Sequence, residues 1–207
     1  MCGRFTLTAA DEETLIGGLP FDTFSKTRIQ FRPRYNIAPG QRSPIVHFES
    51  GKPVLLDALW GLDRAGSGLV VNARSETADR TALFREAFRE GRCLVPADGF
   101  FEWRREGAVN QPYLFQREDG GLLLMAGLRR GERFVVLTEE SKGVVAEIHD
   151  RMPVLLEGER ARDWLGEGTL VSAPRLKRTA VSRRVNRIEN DDPDCLSPLA
   201  QSSFEFD

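Results

Sequence analysis

The strongest constraint on the fold of this chain is a series of short strand-like segments, rich in Val, Leu and Phe and separated by Gly, Asp and Pro. They cover residues 44–49, 54–60, 68–72, 93–96, 99–103, 113–116, 122–128, 133–138, 153–156 and 179–185. Helices are predicted at residues 9–16, 79–90 and 157–165, with a helical turn at 143–149. Many short strands with few helices predict a mixed α+β fold or a mainly β domain.

Length and composition favour one folded unit. Of the 207 residues, 41% are hydrophobic, which is enough apolar material for a core. We expect a single domain over residues 1–207 with an acidic tail from about residue 189. No apolar run approaches the roughly 20 residues of a membrane helix, and the first residues lack a signal-peptide pattern. We therefore expect a soluble, cytoplasmic protein. Its three cysteines lie too far apart for a CxxC metal knuckle.

The charges are segregated along the chain although the formal net charge is only -2. Residues 23–48 and 174–188 contain Lys and Arg but no acid, and residues 189–207 contain Asp and Glu but no base. Such stretches are compatible with ordinary solvated surface, and they also suit an anionic partner, because basic arms can supply phosphate contacts. Charge alone leaves these two interpretations open.

Cys2 carries the most distinctive chemistry of the sequence. Removal of Met1 would leave a terminal cysteine with a free α-amine and a thiol on adjacent carbons, whose reference pKa values are about 7.7–8.0 and 8.5. Such a pair can condense with an aldehyde and close a thiazolidine ring, or the thiol can attack an amide with the amine as base. A small residue at a frayed terminus is the alternative.

Two acid/base candidates accompany Cys2. His149 lies in a compact polar turn before Pro153, with Asp150 and Arg151 beside it, which suits either a structural or a catalytic histidine. Glu102 is flanked by aromatic residues, and apolar surroundings raise the pKa of a carboxyl group. Strand alternation would place Glu102 beside Phe100 and away from its immediate neighbours, so an outward-facing structural role stays open.

Two polar loops complete the set of candidates. Residues 72–77 follow a predicted strand and precede a helix, so Asn72 and Arg74 stand where a polar ligand or phosphate can be bound. Residues 34–40 combine Arg34, Tyr35 and the rigid turn at Pro39. Cys93 is expected to be a buried apolar residue.

These segments together resemble one family. The motifs are residues 2–5 (CGRF), 34–40 (RYNIAPG), 60–62 (WGL), 72–77 (NARSET), 93–103 (CLVPADGFFEW), 112–113 (PY), 126–128 (AGL) and 148–153 (IHDRMP). In this order they are similar to the SOS-response-associated peptidase (SRAP) proteins, which process abasic sites. The resemblance runs from residue 2 to about residue 196. This chain departs from the common GFYEW pattern at Phe101, and Glu139 and Glu140 make the following turn more acidic.

The resemblance implies a single α+β domain with a β-rich, barrel-like core and a few peripheral helices. It also implies a basic channel for single-stranded DNA and a covalent thiazolidine crosslink between Cys2 and the aldehyde of an abasic site. Cys2 would be the nucleophile, Asn72 would hold the sugar or the new linkage, and Glu102 and His149 would move protons. The chemistry is lyase-like, and the peptidase name reflects proposed self-processing at Cys2.

The same resemblance implies the DNA contacts and partners. Phosphate contacts are expected from Arg4, Arg74 and Arg151, and stacking or wedging against bases from Pro39 and Trp60. Asn36 and Thr138 complete the expected DNA-binding set. We expect a monomer that associates with the nucleoid through single-stranded DNA containing abasic sites, with no metal and no cofactor. The acidic tail is expected to fold back or project away from the DNA.

Two other functions are compatible with the residues. Met-Cys-Gly also begins amidohydrolases with an N-terminal nucleophile, although 207 residues leave little room for an ammonia-accepting domain. A non-catalytic nucleic-acid-binding module would use the basic stretches alone.

Overall fold

The computed structural model describes residues 2–64, 66, 68–170 and 175–199. The strands in chain order are β1 Arg4–Leu7, β2 Lys26–Arg28, β3 Arg34–Ile37, β4 Arg42–Glu49, β5 Lys52–Trp60, β6 Leu62–Arg64, β7 Gly68–Val70, β8 Asn72–Arg74, β9 Arg92–Ala97, β10 Gly99–Glu106, β11 Val109–Arg117, β12 Leu123–Arg130, β13 Arg133–Glu140, β14 Arg151–Pro153, β15 Leu155–Leu156 and β16 Leu176–Ala180. The α-helices are α1 Glu12–Gly17, α2 Arg85–Glu90, α3 Gly143–Ala146 and α4 Gly158–Gly166. Two 3₁₀ helices follow at Arg183–Asn186 and Pro193–Leu196.

The first sheet holds the start of the chain. Its strand order is β16-β11-β10-β1-β3, with antiparallel neighbours throughout. Arg4 pairs with Phe101 and Phe5 with Phe100, so the residues around Cys2 lie beside the strand that carries Glu102. Inner strands have hydrogen-bonding partners on both edges, which fixes the position of β1 firmly.

The second sheet runs in the order β14-β13-β12-β9-β4-β5-β2. A short parallel pairing of β13 with β5, at Arg133–Leu59 and Phe134–Trp60, brings the sheet round towards a ring. Because this link is so short, the core is barrel-like without being a closed barrel. Strand β8 also pairs with β13 in parallel, Asn72 opposite Val136 and Arg74 opposite Thr138.

Two apolar layers make up most of the core. One lies between the two sheets, where Trp60 packs against Phe5 at 5.0 Å between ring centroids and stacks on Phe134 at 6.3 Å. The other covers the opposite face of the second sheet, beneath α2 and α4, and includes Leu94 and Trp164. Strands apolar on both faces explain the continuous hydrophobic runs in the sequence. These features confirm the expected α+β, sheet-dominated fold.

Several predicted boundaries were wrong. Helix α1 begins after Asp11, whose side chain accepts a 2.8 Å hydrogen bond from the Thr14 amide and caps the helix. Only the end of the predicted helix at 79–90 is helical, because residues before α2 form turns. The predicted strand at 179–185 ends at Ala180 and is followed by a 3₁₀ helix. No described helix is both long enough and apolar enough to span a membrane.

The acidic end of the chain folds back, as far as Leu199, over the outer face of the first sheet. Phe101, Leu114, Val185 and Cys195 form a small apolar cluster there. Among the acidic residues, Asp191 pairs with Arg34, which links the acidic end to the first basic stretch. The residues after Leu199 lie outside the described part of the chain.

Candidate active site

Cys2 lies just before β1 and is completely buried. Its Sγ lies 3.9 Å from the backbone oxygen of Arg4, and its own carbonyl oxygen accepts a 2.8 Å hydrogen bond from Nδ2 of Asn72. Burial, followed by the nearby charge of Glu102, raises the pKa of the Cys2 thiol far above its ordinary value. The sulfur is therefore a protonated thiol at neutral pH and needs a base to become a thiolate.

Asn72 begins β8, and the parallel pairing with β13 aims its side chain at the start of β1. Its Oδ1 atom is buried and has no hydrogen-bond partner among the described residues. Buried polar atoms without partners are uncommon, since the lost hydrogen bond costs about 1–3 kcal/mol. The amide thus holds the Cys2 backbone with its nitrogen and keeps an acceptor available beside it.

Glu102 is buried on the face of β10 that points between the sheets, with only 2% of its surface exposed. Phe100 packs in the inter-sheet layer, whereas Phe101 packs on the outer face with Trp103 at 6.3 Å between ring centroids. The expected alternation is confirmed. Burial raises the pKa of Glu102 to about 7. Both its protonated and its ionised forms are therefore present near neutral pH.

His149 is half-buried in the turn between α3 and β14. Its Nδ1 lies 2.9 Å from the backbone nitrogen and 3.2 Å from the backbone oxygen of Arg151. Burial lowers the pKa of His149, although exposed Asp150, 2.9 Å from Nδ1, acts in the opposite direction. The ring is therefore mainly neutral at pH 7.

The four predicted catalytic residues come together. Cys2 contacts Asn72 and lies within electrostatic range of Glu102. The Asp150 carboxylate, beside His149, contributes to the raised pKa of Glu102 after the larger effect of burial. Ile148 packs against the same apolar layer that contains Cys2. Residues far apart in sequence thus meet at one end of the space between the sheets.

The three predicted phosphate contacts differ in their surroundings. Arg74 is exposed next to Thr138. Arg151 forms a bidentate pair with Glu76, at 2.6 and 2.8 Å, and this pair lowers the pKa of Glu76 to about 2. Arg4 is half-buried and donates to Oδ1 of Asn36 at 2.9 Å. Among the described residues, protein acceptors thus hold the guanidinium groups of Arg4 and Arg151.

Three of the expected DNA-binding residues are buried in the structure. Trp60 is completely buried and donates from Nε1 to the carbonyl of Val71 at 2.9 Å. Asn36 is completely buried, and Thr138 is 1% exposed. All three side chains are thus enclosed by protein.

Pro39 is exposed, as a wedge residue requires. The exposed apolar side chain near its turn is Leu69 of β7, 43% exposed, which lies against Gly61 and Gly40. Leu69 was not among the predicted site residues. A single Leu in a short segment carries no sequence signal that separates it from a core residue.

A second unexpected feature is an open cleft of about 320 Å³ beside the start of the chain, lined by Gly3, Arg4, Trp103, Asn110 and Asn186. The Arg4 guanidinium lies 5.9 Å from the centre of the Trp103 ring. Trp103 donates from Nε1 to Oδ1 of Asn186 at 2.6 Å. The cleft thus offers a fixed aromatic face and a cation. The described residues include no group of three His, Cys, Asp or Glu side chains that could hold a metal ion.

Comparisons with known proteins identify the family of the chain. The sequence model described as SOS response associated peptidase (SRAP) matches residues 1–188. Abasic site processing protein YedK of Escherichia coli (strain K12) is 29% identical, over 96% of this chain and 100% of that protein. Abasic site processing protein HMCES of Xenopus tropicalis is 30% identical, over 96% of this chain and 78% of its own length.

Solved structures show the same fold. A protein from Bacteroides thetaiotaomicron aligns with a TM-score of 0.75 at 20% identity, over 95% of this chain and 99% of that chain. A phage-related protein from Bordetella bronchiseptica aligns with a TM-score of 0.67 at 30% identity, over 97% and 95% of the two chains. With the family match extending over most of the sequence, the chain belongs to the SOS response associated peptidase (SRAP) family.

Proposed function

We propose that this protein senses abasic sites in single-stranded DNA and bonds to them covalently through Cys2 after removal of Met1. The observation that carries the proposal is the grouping of Cys2 with Asn72 and Glu102, and with the turn that holds His149 and Asp150, at one end of the space between the sheets. The names of the relatives, abasic site processing proteins, support the same substrate. The crosslink would shield the lesion during the response to DNA damage.

The proposed chemistry proceeds in two bond-forming steps. The α-amine of Cys2 adds to the aldehyde carbon of the ring-opened sugar, and loss of water leaves a C=N bond. The sulfur then bonds to the same carbon while the thiol proton ends on the nitrogen, closing a thiazolidine. Because burial keeps the thiol protonated, attack by the amine before the sulfur suits this site.

Glu102 suits the proton transfers of both steps. With a pKa of about 7, its carboxylic acid can protonate the departing hydroxyl, and its carboxylate can accept the thiol proton. Neutral His149 suits the opening of the sugar ring and the reversal of the linkage. The unpaired Oδ1 of Asn72 can accept a hydrogen bond from a sugar hydroxyl or from the new ring nitrogen.

The surroundings suit a DNA strand. Arg74 and Arg151 lie on one side of the site, and the cleft with Arg4 and Trp103 lies on another. Guanidinium groups bind phosphates, and an aromatic face can stack on a base for about 1–3 kcal/mol. Pro39 and Leu69 provide exposed apolar groups that can separate neighbouring bases. In this proposal the chain acts as a single-domain monomer, located in the cytoplasm on nucleoid DNA.

The direct test is incubation of the mature protein with single-stranded DNA that contains one abasic site. We expect an adduct that survives denaturation, and none with a tetrahydrofuran spacer, which lacks the aldehyde. Hydrolysis of glutamine without an adduct would support the amidohydrolase alternative. Salt-sensitive binding without an adduct would support a non-catalytic binding module.

The proposed DNA path is tested separately with the tetrahydrofuran oligonucleotide. Arg74→Ala should reduce the slope of log affinity against log salt by roughly 0.7, because one phosphate contact is lost. Arg28→Ala is the matched control, since Arg28 is also exposed but lies on the edge strand β2. If the two variants changed the salt slope equally, Arg74 would not be a phosphate contact on the proposed path.

A further inference from the structure

The side-chain amide of Asn36 connects the start of the chain with its end. Its Oδ1 accepts from the Arg4 guanidinium at 2.9 Å. Its Nδ2 lies 3.2, 3.0 and 2.7 Å from the backbone oxygens of Val185, Arg187 and Asn190. One buried amide therefore contacts both Arg4 and the segment of residues 183–192, which we call the C-terminal strap.

Asp191 of the strap binds in turn to strand β3. Its Oδ1 accepts from the backbone amides of Tyr35 at 2.7 Å and Asn36 at 3.0 Å, and its Oδ2 pairs with the Arg34 side chain. Hydrogen bonds to a carboxylate are about twice as strong as those between neutral groups. Glu189 and Asp194 are exposed, whereas the side chain of Asp191 is only 19% exposed.

The strap in turn holds Arg4. The same Nη1 that contacts Asn36 also donates to the carbonyl of Val185 at 2.8 Å. Asn186, next along the strap, accepts from the Trp103 indole and so fixes the ring that lies beside Arg4. Both acceptors of the Arg4 guanidinium therefore depend on the contact between strap and Asn36.

We propose that Asn36 and Asp191 are positioning residues that hold Arg4, through the C-terminal strap, in place for a DNA phosphate beside the lesion. The proposal rests on the proposed function, according to which the protein binds DNA. A guanidinium already fixed in its binding position loses less conformational freedom when the phosphate arrives. The acid at position 191 thus favours DNA binding by ordering a cation, although its charge alone would repel DNA.

Asp192→Asn is a matched control for Asp191→Asn. Asp192 lies on the same strap and pairs with Arg184 at 2.7 Å, but it has no contact with Asn36 or Arg4 among the described residues. Asn36→Asp adds a second test, because it keeps an acceptor for Arg4 and loses the donor to the three strap carbonyls. Thermal unfolding identifies any variant that fails to fold.

The first experiment needs no DNA. Nitrogen-15 NMR of the arginine side chains, with Arg4 assigned through Arg4→Ala, should show slowly exchanging Arg4 guanidinium protons in wild type and Asp192→Asn. These signals should be averaged or lost in Asp191→Asn and Asn36→Asp. Unchanged Arg4 signals in both folded variants would overturn the proposal, whatever the protein does with abasic DNA.

The second experiment measures affinity for the tetrahydrofuran oligonucleotide across salt concentrations. Asp191→Asn should weaken binding about three- to tenfold, and the Arg4→Ala/Asp191→Asn double variant should bind no more weakly than Arg4→Ala. Additive losses, or full affinity of Arg4→Ala, would overturn the positioning role. If wild type binds as expected but forms no adduct with a true abasic site, only the crosslinking proposal fails.

Discussion

The amide nitrogen of Asn72 donates a hydrogen bond of 2.8 Å to the backbone carbonyl oxygen of Cys2. This bond joins a residue of the second sheet to the segment just before β1 of the first sheet. It holds the main chain of the proposed nucleophile through the carbonyl group, which takes no part in the proposed bond-forming steps. The orientation of the reacting residue thus depends on the packing of the two sheets.

Replacing Asn72 should therefore impair chemistry more than binding. We expect Asn72→Ala to slow crosslink formation at saturating DNA by about 10- to 100-fold, because the Cys2 carbonyl loses its donor and the sugar loses an acceptor. Gln30→Ala, at an exposed position outside the proposed DNA path, is the control. The measurement is a single-turnover time course, and a wild-type rate for Asn72→Ala would contradict its role.

Retention of Met1 should abolish the crosslink. The thiazolidine needs a free amine on the carbon next to the thiol, and a preceding residue converts that amine into an amide. Mass spectrometry would verify the terminus before the reaction with abasic DNA. Cys2→Ser should still form an imine that borohydride traps, without a stable ring. Normal crosslinking by protein that keeps Met1 would refute the mechanism.

Glu102→Gln should slow crosslink formation without weakening DNA binding. It keeps the shape of the side chain but removes proton transfer, so crosslink formation should slow at least about tenfold. Wild-type affinity for the tetrahydrofuran oligonucleotide is expected, since Glu102 is assigned no phosphate contact. An unchanged rate would return Glu102 to a purely structural role.

The same variant should alter the pH dependence of unfolding. Folded Glu102 keeps its proton up to about pH 7, whereas the unfolded chain releases it near pH 4.5. The wild type therefore loses stability between these pH values, because the folded state must bury a charge. At pH 8, Glu102→Gln should be more stable by on the order of 3 kcal/mol, and this gain should vanish at pH 4. Denaturant unfolding at both pH values measures it.

His149 should affect reversal of the linkage more than its formation. Formation depends chiefly on the Cys2 amine, whereas release requires protonation and reopening of the ring. We expect His149→Ala to slow release of a preformed adduct by about tenfold or more and formation by less. Exchange of the adduct into excess unlabelled abasic DNA, from pH 5 to 8, measures both rates. Equal effects on the two rates would contradict this assignment.

Trp60 should matter for stability and not for base stacking. Trp60→Ala should lower the free energy of unfolding by about 3–5 kcal/mol, since a ring packed between Phe5 and Phe134 is lost. Leu69→Ser should have little effect on stability and should weaken DNA binding. Denaturant titration and binding isotherms measure the two effects. Strong loss of DNA affinity in a well-folded Trp60→Phe variant would contradict this view.

Local sequence was sufficient for the features that depend on neighbouring residues. Alternation along β10 predicted that Glu102 lies beside Phe100, and the order of short motifs predicted the family. Trp60 shows the limit, because an aromatic residue at the end of a strand can point into the core or towards a ligand. Only the approach of Phe5 and Phe134, from two other strands, decides between them.

Contacts between distant segments explain what could not be predicted. Asn36 and Asp191 lie 155 residues apart, so neither has a local signal for the other. The short strand β1 was missed because four residues provide too little alternation, although both of its edges are paired. The prediction of a strand at 179–185 was wrong beyond Ala180, because Val185 packs in the apolar cluster on the outer face of the first sheet.

The position of Cys2 beside an inner strand makes assembly of the site a late event in synthesis. Strand β1 leaves the ribosome early, and β10 follows roughly 5 to 20 seconds later at synthesis rates of about 5–20 residues per second. During that interval the residues after Cys2 have no partner strand on that side, so Cys2 is not held beside Glu102. The nascent chain thus carries its proposed nucleophile well before it carries the residues that would direct its chemistry.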